Sequence, residues 1–157
     1  MRRIGIIAAL SLLLVAFSAS VALAQTSGVH FLRGPFFTDE GTQLRATGTL
    51  AGLGGEDVNV TLTATGTGAV ECTNPGGNVA PGQSFTTSVT GTQTDIEVKN
   101  GRANFDVLTA EPVAPEGSCP NPAWTATVTD VEFTSATITA TQDGVVVLQE
   151  TFDLTDL

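Results

Sequence analysis

The chain is 157 residues long and strongly acidic, with 16 Asp and Glu against six Lys and Arg and a formal net charge of −10. Binding of nucleic acid depends on clustered basic residues, and docking on anionic lipid headgroups depends on them as well. The composition therefore argues against both kinds of partner. The acidic residues are scattered, which is typical of a surface kept soluble by self-repulsion.

The first 24 residues have the three parts of a secretory signal peptide. Two arginines follow Met1, Ile4–Phe17 is an apolar run, and Ala22-Leu23-Ala24 fits a signal peptidase site. The alternative is a membrane anchor, which needs roughly 20 apolar residues. Two serines interrupt the last third of the run, so we expect cleavage after Ala24.

Cleavage after Ala24 would leave residues 25–157, a chain of 133 residues with a formal charge of −12. This length suffices for one domain with a hydrophobic core. No linker and no convincing internal repeat divides it. No cysteine lies near the cut, and the C-terminal TFDLTDL has no apolar tail. We therefore expect a secreted, extracellular domain at 25–157 without a membrane anchor.

The segment Gln25–Phe37 is rich in phenylalanine for a chain terminus with no obvious partner strand. Phe31, Phe36 and Phe37 lie within nine residues of each other, which raises the hypothesis of self-assembly through a donated strand. His30 is the single histidine. It alternates as a solvent-facing strand residue, and no nucleophile with a third, orienting group accompanies it.

Two acidic pairs, Asp39-Glu40 and Glu56-Asp57, are candidate sites. Paired carboxylates can act as acid and base, and hard cations such as calcium bind several oxygens. Both pairs stand beside glycine in apparent turns, where charged residues are ordinary, and neither matches an EF-hand spacing. We predict no catalytic residue, no cofactor and no metal ligand, and calcium binding by the acidic loops stays open.

After Asp57 the apolar and polar residues alternate with period two, the pattern of half-buried strands. The clearest runs are Val58–Ala64, Ala103–Val107 and Trp124–Val128. Their many threonines fit, because a β-branched side chain suits a pleated surface. The Asn100-Gly101 pair tolerates the positive φ values of a two-residue type I′ turn, so a hairpin is predicted there.

The apolar residues switch several times between odd and even positions along the chain, and a strand changes the face that it buries only through a bulge or corner. Such breaks are predicted near Asp130 and Ser135, and Gly91 is predicted as the hinge between Phe85/Val89 and Ile96/Val98.

The hairpin at Gln142-Asp143-Gly144 is predicted to have a three-residue loop with Gly144 in a left-handed conformation. That register pairs Ile138 with Leu148 and Ala140 with Val146, which places the apolar residues on one face.

Short strands, frequent turns and breaks of this kind predict an all-β fold, a single antiparallel β-sandwich, Ig-like or similar, of seven to nine strands. A small closed barrel is the alternative.

The only two cysteines, Cys72 and Cys119, are predicted to form a disulfide, as is usual in exported proteins. An Asn-Pro step follows each cysteine and holds the chain on an extended path. Neither a C-x-x-C redox motif nor a four-ligand zinc set is present. Gly76-Gly77-Asn78 lacks the Lys-Ser/Thr of a phosphate-binding P-loop.

Recognition usually lies on loops held by a rigid scaffold. The two cysteine-bearing loops are therefore the candidate interaction surface, through Asn74, Pro75, Gly76, Gly77, Asn78, Asn121 and Pro122. Trp124 alternates with Ala126 and Val128, so it is predicted to lie in the core beside the disulfide.

Three motifs together carry a resemblance: the C-x-N-P-G-G-N loop from Cys72, the N-G-R-A-x-F hairpin from Asn100, and the C-P-N-P-x-W segment from Cys119. They resemble a group of small exported proteins of high-GC bacteria that has no assigned activity. The resemblance implies export and an all-β fold, and it supplies no catalytic residue.

Three functions are weighed. The leading one is a non-enzymatic extracellular module that binds a protein or cell-surface component. The second is a structural subunit that self-assembles through sheet edges or its N-terminal strand, and the third is an enzyme of unrecognised type.

Overall fold

The computed structural model describes residues 28–157, and the predicted signal peptide with its cleavage site lies outside this range. Eight strands follow one another: β1 (His30–Asp39), β2 (Leu44–Ala51), β3 (Val58–Thr73), β4 (Val79–Pro81), β5 (Phe85–Ile96), β6 (Arg102–Leu108), β7 (Thr125–Gln142) and β8 (Val145–Asp153). Within this range no helix is long and apolar enough to cross a membrane.

The strands form two antiparallel sheets. The smaller sheet has the order β1-β2-β6. In the larger sheet the long strand β3 pairs with β7 along one side and with β4 and β5 along the other, and β8 extends the sheet beyond β7. Two separate sheets confirm the predicted sandwich over the closed barrel.

The core lies between the two sheets and is built by the alternation seen in the sequence. Leu44 and Leu50 of the small sheet are fully buried, as are Leu62 and Ile138 of the large sheet. On one side β5 and β6 approach closely at Gly91, where a Cβ would lie 2.6 Å from the carbonyl carbon of Leu108. A glycine is required there because backbone occupies the space of a side chain.

Strand β1 is an integral part of the small sheet, which corrects the expectation that this segment lacks a partner strand. It pairs with β2 from His30 to Asp39. The Phe31 and Phe37 rings pack on Phe152 of β8, with centroids 5.9 and 5.3 Å apart respectively. These contacts bridge the two sheets, since β1 and β8 belong to different ones.

The predicted Asn100-Gly101 turn is confirmed. Both residues have positive φ, 52° and 70°. The flanking Lys99 and Arg102 exchange two backbone hydrogen bonds, of 2.9 and 3.1 Å, which is the closing pair of a two-residue hairpin.

The three-residue loop predicted at the next hairpin is wrong. Asp143 and Gly144, with φ of 49° and 75°, form a two-residue turn. A register shift between Ala140 and Thr141 then moves Leu148 opposite Ala140 and Glu150 opposite Ile138. The bulge lies in the strand instead of the loop, and it still brings two apolar residues, Ala140 and Leu148, together on the buried face.

The predicted breaks in β7 are confirmed as two bulges within one continuous strand. The register shifts leave Thr129 and Thr134 without a partner on β3, each one residue from the expected position. The hinge predicted at Gly91 is wrong: the β5 register shifts between Gln93 and Ile96, where Asp95 has a φ of 54°. Gly91 serves the close contact with β6, and the strand runs straight through it.

Candidate binding groove beside the disulfide

The predicted disulfide between Cys72 and Cys119 is present, with Cα atoms 5.7 Å apart and a sequence separation of 47. Cys72 is fully buried near the end of β3. Cys119 lies in the connection 109–124 between β6 and β7. The bond therefore holds this connection against one end of the large sheet.

Hydrogen bonds hold the same connection at two further points. At its start the buried Thr109 exchanges bonds with Leu44: each backbone N–H donates, Thr109 to the Leu44 carbonyl and Leu44 to Thr109 Oγ1, both at 3.0 Å. Before the cysteine, the Ser118 carbonyl accepts from Gln83 N at 2.9 Å, and Ser118 Oγ donates to the Pro115 carbonyl at 2.8 Å. A long loop is thus fixed as a wall.

Between this wall and the start of β7 lies a groove of about 630 Å³. Trp124 and Ala126 form its floor, and Pro115, Pro120 and Pro122 are on its wall. A second groove of about 360 Å³ shares Ala114 and Ala126 with the first and continues along the wall to Glu111, Val113 and Val128. We call the two grooves together the trough.

The prediction that Trp124 lies in the core is wrong. Its side chain is half-buried on the floor of the trough, outside the core cluster. The alternation of Trp124 with Ala126 and Val128 is real, but all three are only half-buried. The proline-rich connection faces this end of β7, and its fit leaves open grooves that a packed sheet would fill.

The first of the two predicted interaction loops is an exposed hairpin tip. In Asn74-Pro75-Gly76-Gly77-Asn78 the Asn74 side chain closes the turn, because its Oδ1 accepts from Asn78 N at 2.9 Å. None of these five residues lines the trough. In the second loop Asn121 and Pro122 do line it, and Asn121 Oδ1 accepts from Ala123 N at 3.0 Å.

Sequence reasoning missed the rest of the wall, above all Val113 and Glu116. The signal that could have found it is the composition of Glu111–Pro122, which holds four of the seven prolines. A proline-rich stretch tied down by a disulfide is a rigid surface and not a flexible linker.

The charged residues that line the trough, Glu111 and Glu116, are both acidic. Residues 66–87 and 109–132 contain five acidic residues and no Lys, Arg or His. Arg45, on β2, is engaged by Asp106, with Nε–Oδ1 and Nη2–Oδ2 distances of 2.7 and 2.6 Å. The hydrogen bonds from Arg45 hold the pKa of Asp106 below its ordinary value, and this carboxylate raises the pKa of Arg45.

None of the other titratable residues singled out in the sequence lines the trough. His30 is exposed on β1, where Nδ1 lies 2.8 Å from the Gly28 carbonyl oxygen. Asp39 Oδ1 accepts from Gly41 N at 2.8 Å, and Glu56 and Asp57 are exposed before β3. Across residues 28–157, no three His, Cys, Asp or Glu side chains form a group that could hold a metal ion.

Comparison of the chain with protein-family models, with curated proteins and with solved structures found no match.

Proposed function

We propose that the chain is an exported, non-enzymatic binding module whose binding surface is the trough beside the Cys72–Cys119 disulfide. The observation that carries the proposal is the position of Trp124, the single tryptophan, half-buried on the trough floor. Binding sites are concave and lined by apolar and aromatic side chains with a few polar groups. A tryptophan beside a fixed wall offers such a surface.

Three features support export. The N-terminal sequence has the pattern of a cleaved signal peptide. The disulfide is compatible with an oxidising compartment outside the cytoplasm. The loop motifs from Cys72, Asn100 and Cys119, which resemble those of a group of small exported proteins of high-GC bacteria, point the same way.

The side chains of the trough favour binding over catalysis. Tryptophan, proline and alanine supply contact area, and the charged groups among the lining residues are Glu111 and Glu116, one in each groove. General acid–base catalysis needs titratable groups held within hydrogen-bond reach of one reacting centre. Two exposed carboxylates in separate grooves do not make that arrangement.

The test is co-sedimentation of residues 25–157 with bacterial cell envelopes, comparing the wild type with Trp124→Ala. Val145→Ala is the matched control, because Val145 is exposed on β8 away from the trough. We expect the wild type and Val145→Ala to sediment with the envelopes and Trp124→Ala to stay in solution. Equal behaviour of all three proteins would refute a role for the trough.

A second function, self-assembly through the edge of the small sheet, is favoured by two exposed apolar residues on β1. Leu32 is 50% and Phe36 57% exposed, on an edge strand of the sheet. Pro35 opposes this function: it lies between Leu32 and Phe36 and cannot donate a backbone hydrogen bond, which protects an edge strand against strand addition.

Deleting Gln25–Phe37 cannot test self-assembly, because the deletion also removes Phe31 and Phe37 from their packing on Phe152. The double change Leu32→Ser and Phe36→Ser leaves those contacts in place. Light scattering over a wide concentration range should show a mass that grows in the wild type and stays monomeric in the variant if β1 mediates assembly. A wild type that is monomeric throughout would rule this function out.

A further inference from the structure

We infer that the occupant of the trough is a basic peptide segment: an extended stretch of a partner protein that carries Arg or Lys beside small apolar side chains. The inference rests on the proposed function and names the chemistry of the ligand. It follows from the shape and apolar floor of the trough, from the indole of Trp124, and from the sign of the charge around them.

The shape of the trough suits an extended chain. The two grooves share Ala114 and Ala126 and follow the wall from Glu111 to Pro122. Val113, in the second groove, is 86% exposed, so it offers an uncovered apolar contact. Small apolar side chains of a bound segment would cover Val113 and the half-buried Ala126, and burial of that surface favours binding.

The polar groups of the trough select a cation. An indole face attracts Arg and Lys electrostatically, and tryptophan is the best of the aromatic residues for this contact. Glu116 lines the same groove as Trp124, and Glu111 lines the second groove. Both carboxylates are exposed, and neither forms an ion pair within the described range.

The charge of the surrounding surface points to the same ligand. Arg45 is three positions from Thr42, which lines the second groove, and its guanidinium is paired with Glu40 and Asp106. The other basic residues of the described chain, Arg33, Lys99 and Arg102, line neither groove. An acidic ligand would be repelled here, and a neutral ligand would gain hydrogen bonds from Glu111 and Glu116 without the attraction of opposite charge. Complementary charge sets the partner and speeds encounter, so a basic segment fits best.

The probe is a blocked hexapeptide, acetyl-Ala-Arg-Ala-Leu-Arg-Ala-amide, and its isostere with citrulline in place of both arginines. Citrulline keeps the shape of the side chain and removes its charge. Because Trp124 is the only tryptophan, its fluorescence reports occupancy of the trough directly. We expect saturable binding of the arginine peptide and a dissociation constant about tenfold higher for the citrulline peptide.

The matched variants neutralise one carboxylate at a time without changing shape. Glu116→Gln should raise the dissociation constant of the arginine peptide about threefold, and Glu111→Gln with Glu116→Gln should raise it about tenfold. Glu56→Gln is the control: it removes the same charge before β3 begins, whereas the trough lies where β3 ends. It should leave the dissociation constant unchanged. Added salt should weaken binding of the arginine peptide to the wild type more than binding to the double variant.

Equal affinity for the two peptides, or equal affinity of the wild type and the double variant, would overturn the inference. If no peptide binds while the wild type still sediments with envelopes through Trp124, the ligand class is wrong and the proposed function stands. A Trp124-dependent response to chitohexaose, a neutral sugar, with none to the arginine peptide leads to the same conclusion. If the wild type binds neither the arginine peptide nor the envelopes, the ligand class and the proposed function are overturned together.

Discussion

Replacing both cysteines by alanine should remove a large share of the stability of this domain. The disulfide closes the chain over a separation of 47 residues. In the chain-entropy description, a closed loop of that length stabilises the fold by about 4 kcal/mol at 25 °C. Domains of this size are stable by roughly 5–15 kcal/mol in total. The double variant, Cys72→Ala with Cys119→Ala, should therefore fold with a much reduced free energy of unfolding.

The loss should not fall evenly over the molecule. Residue 72 is fully buried, so alanine, which brings no polar group into the core, is the suitable replacement. The connection 109–124 keeps its hydrogen bonds at Thr109 and Ser118 but loses its covalent tie to β3. The trough should loosen before the two sheets separate, because its wall is the part that the bond holds.

Urea unfolding followed by circular dichroism and by Trp124 fluorescence measures both effects. The wild type should show coincident transitions with the two probes. The variant should unfold with a free energy about 4 kcal/mol lower and a steeper dependence on urea, since an unfolded chain without the cross-link exposes more surface. Its fluorescence transition should precede the circular dichroism transition. The control is the reduced wild type, which lacks the same bond and should behave like the variant. A loss below about 1 kcal/mol with an unchanged slope would refute the chain-entropy reasoning.

Three smaller changes test other parts of the fold. Gly91→Ala places a methyl group 2.6 Å from a carbonyl carbon at the end of β6 and should lower the free energy of unfolding by about 2 kcal/mol; Gly55→Ala, where a Cβ meets open space, is the urea-unfolding control and should differ little. Asn100→Ala puts a side chain with poor left-handed propensity at a φ of 52° and should cost about 1 kcal/mol, whereas Asn100→Gly should not; equal midpoints for the two variants would contradict the turn assignment. The ion pair with Arg45 lowers the pKa of Asp106 in the folded state, so its stabilising effect is complete well above the ordinary value of 3.8 and is lost as the pH falls through the lowered value. Asp106→Asn should therefore reduce the loss of melting temperature on the acid side, and parallel wild-type and variant curves from about pH 6 to pH 2 would exclude the linkage.

Much of the fold could be predicted from the sequence because its signals are local. Period-two alternation reports which side of a strand faces the core, whatever covers that side, so the strands around Val58–Ala64 and Ala103–Val107 are predicted correctly. The Asn100-Gly101 turn depends on the backbone preferences of two residues. The Cys72–Cys119 pair follows because the chain has no other cysteine.

The candidate site depended on information that no local pattern contains. Alternation predicts Trp124 on the inner face of a strand, but Trp124 lies just before β7 begins at Thr125. How deeply such a residue is buried depends on which other part of the chain packs over it. There the cover is a proline-rich connection, so Trp124 lines an open trough. Strand β1 shows the reverse case, since only the tertiary structure brings Phe152 of the last strand against Phe31 and Phe37.

The register errors have the same origin. In the structure Asp143 and Gly144 form a two-residue turn, and a separate bulge at Val147 of β8 keeps apolar residues on the buried face. The sequence pattern suggested one shift of register instead, placed in the loop. The sequence by itself determined the fold class, several of the strands and the disulfide, because alternation, turn propensity and cysteine pairing act over short range or on a unique pair. The tertiary structure decided register, exposure and the trough, because these depend on contacts between residues far apart in the chain.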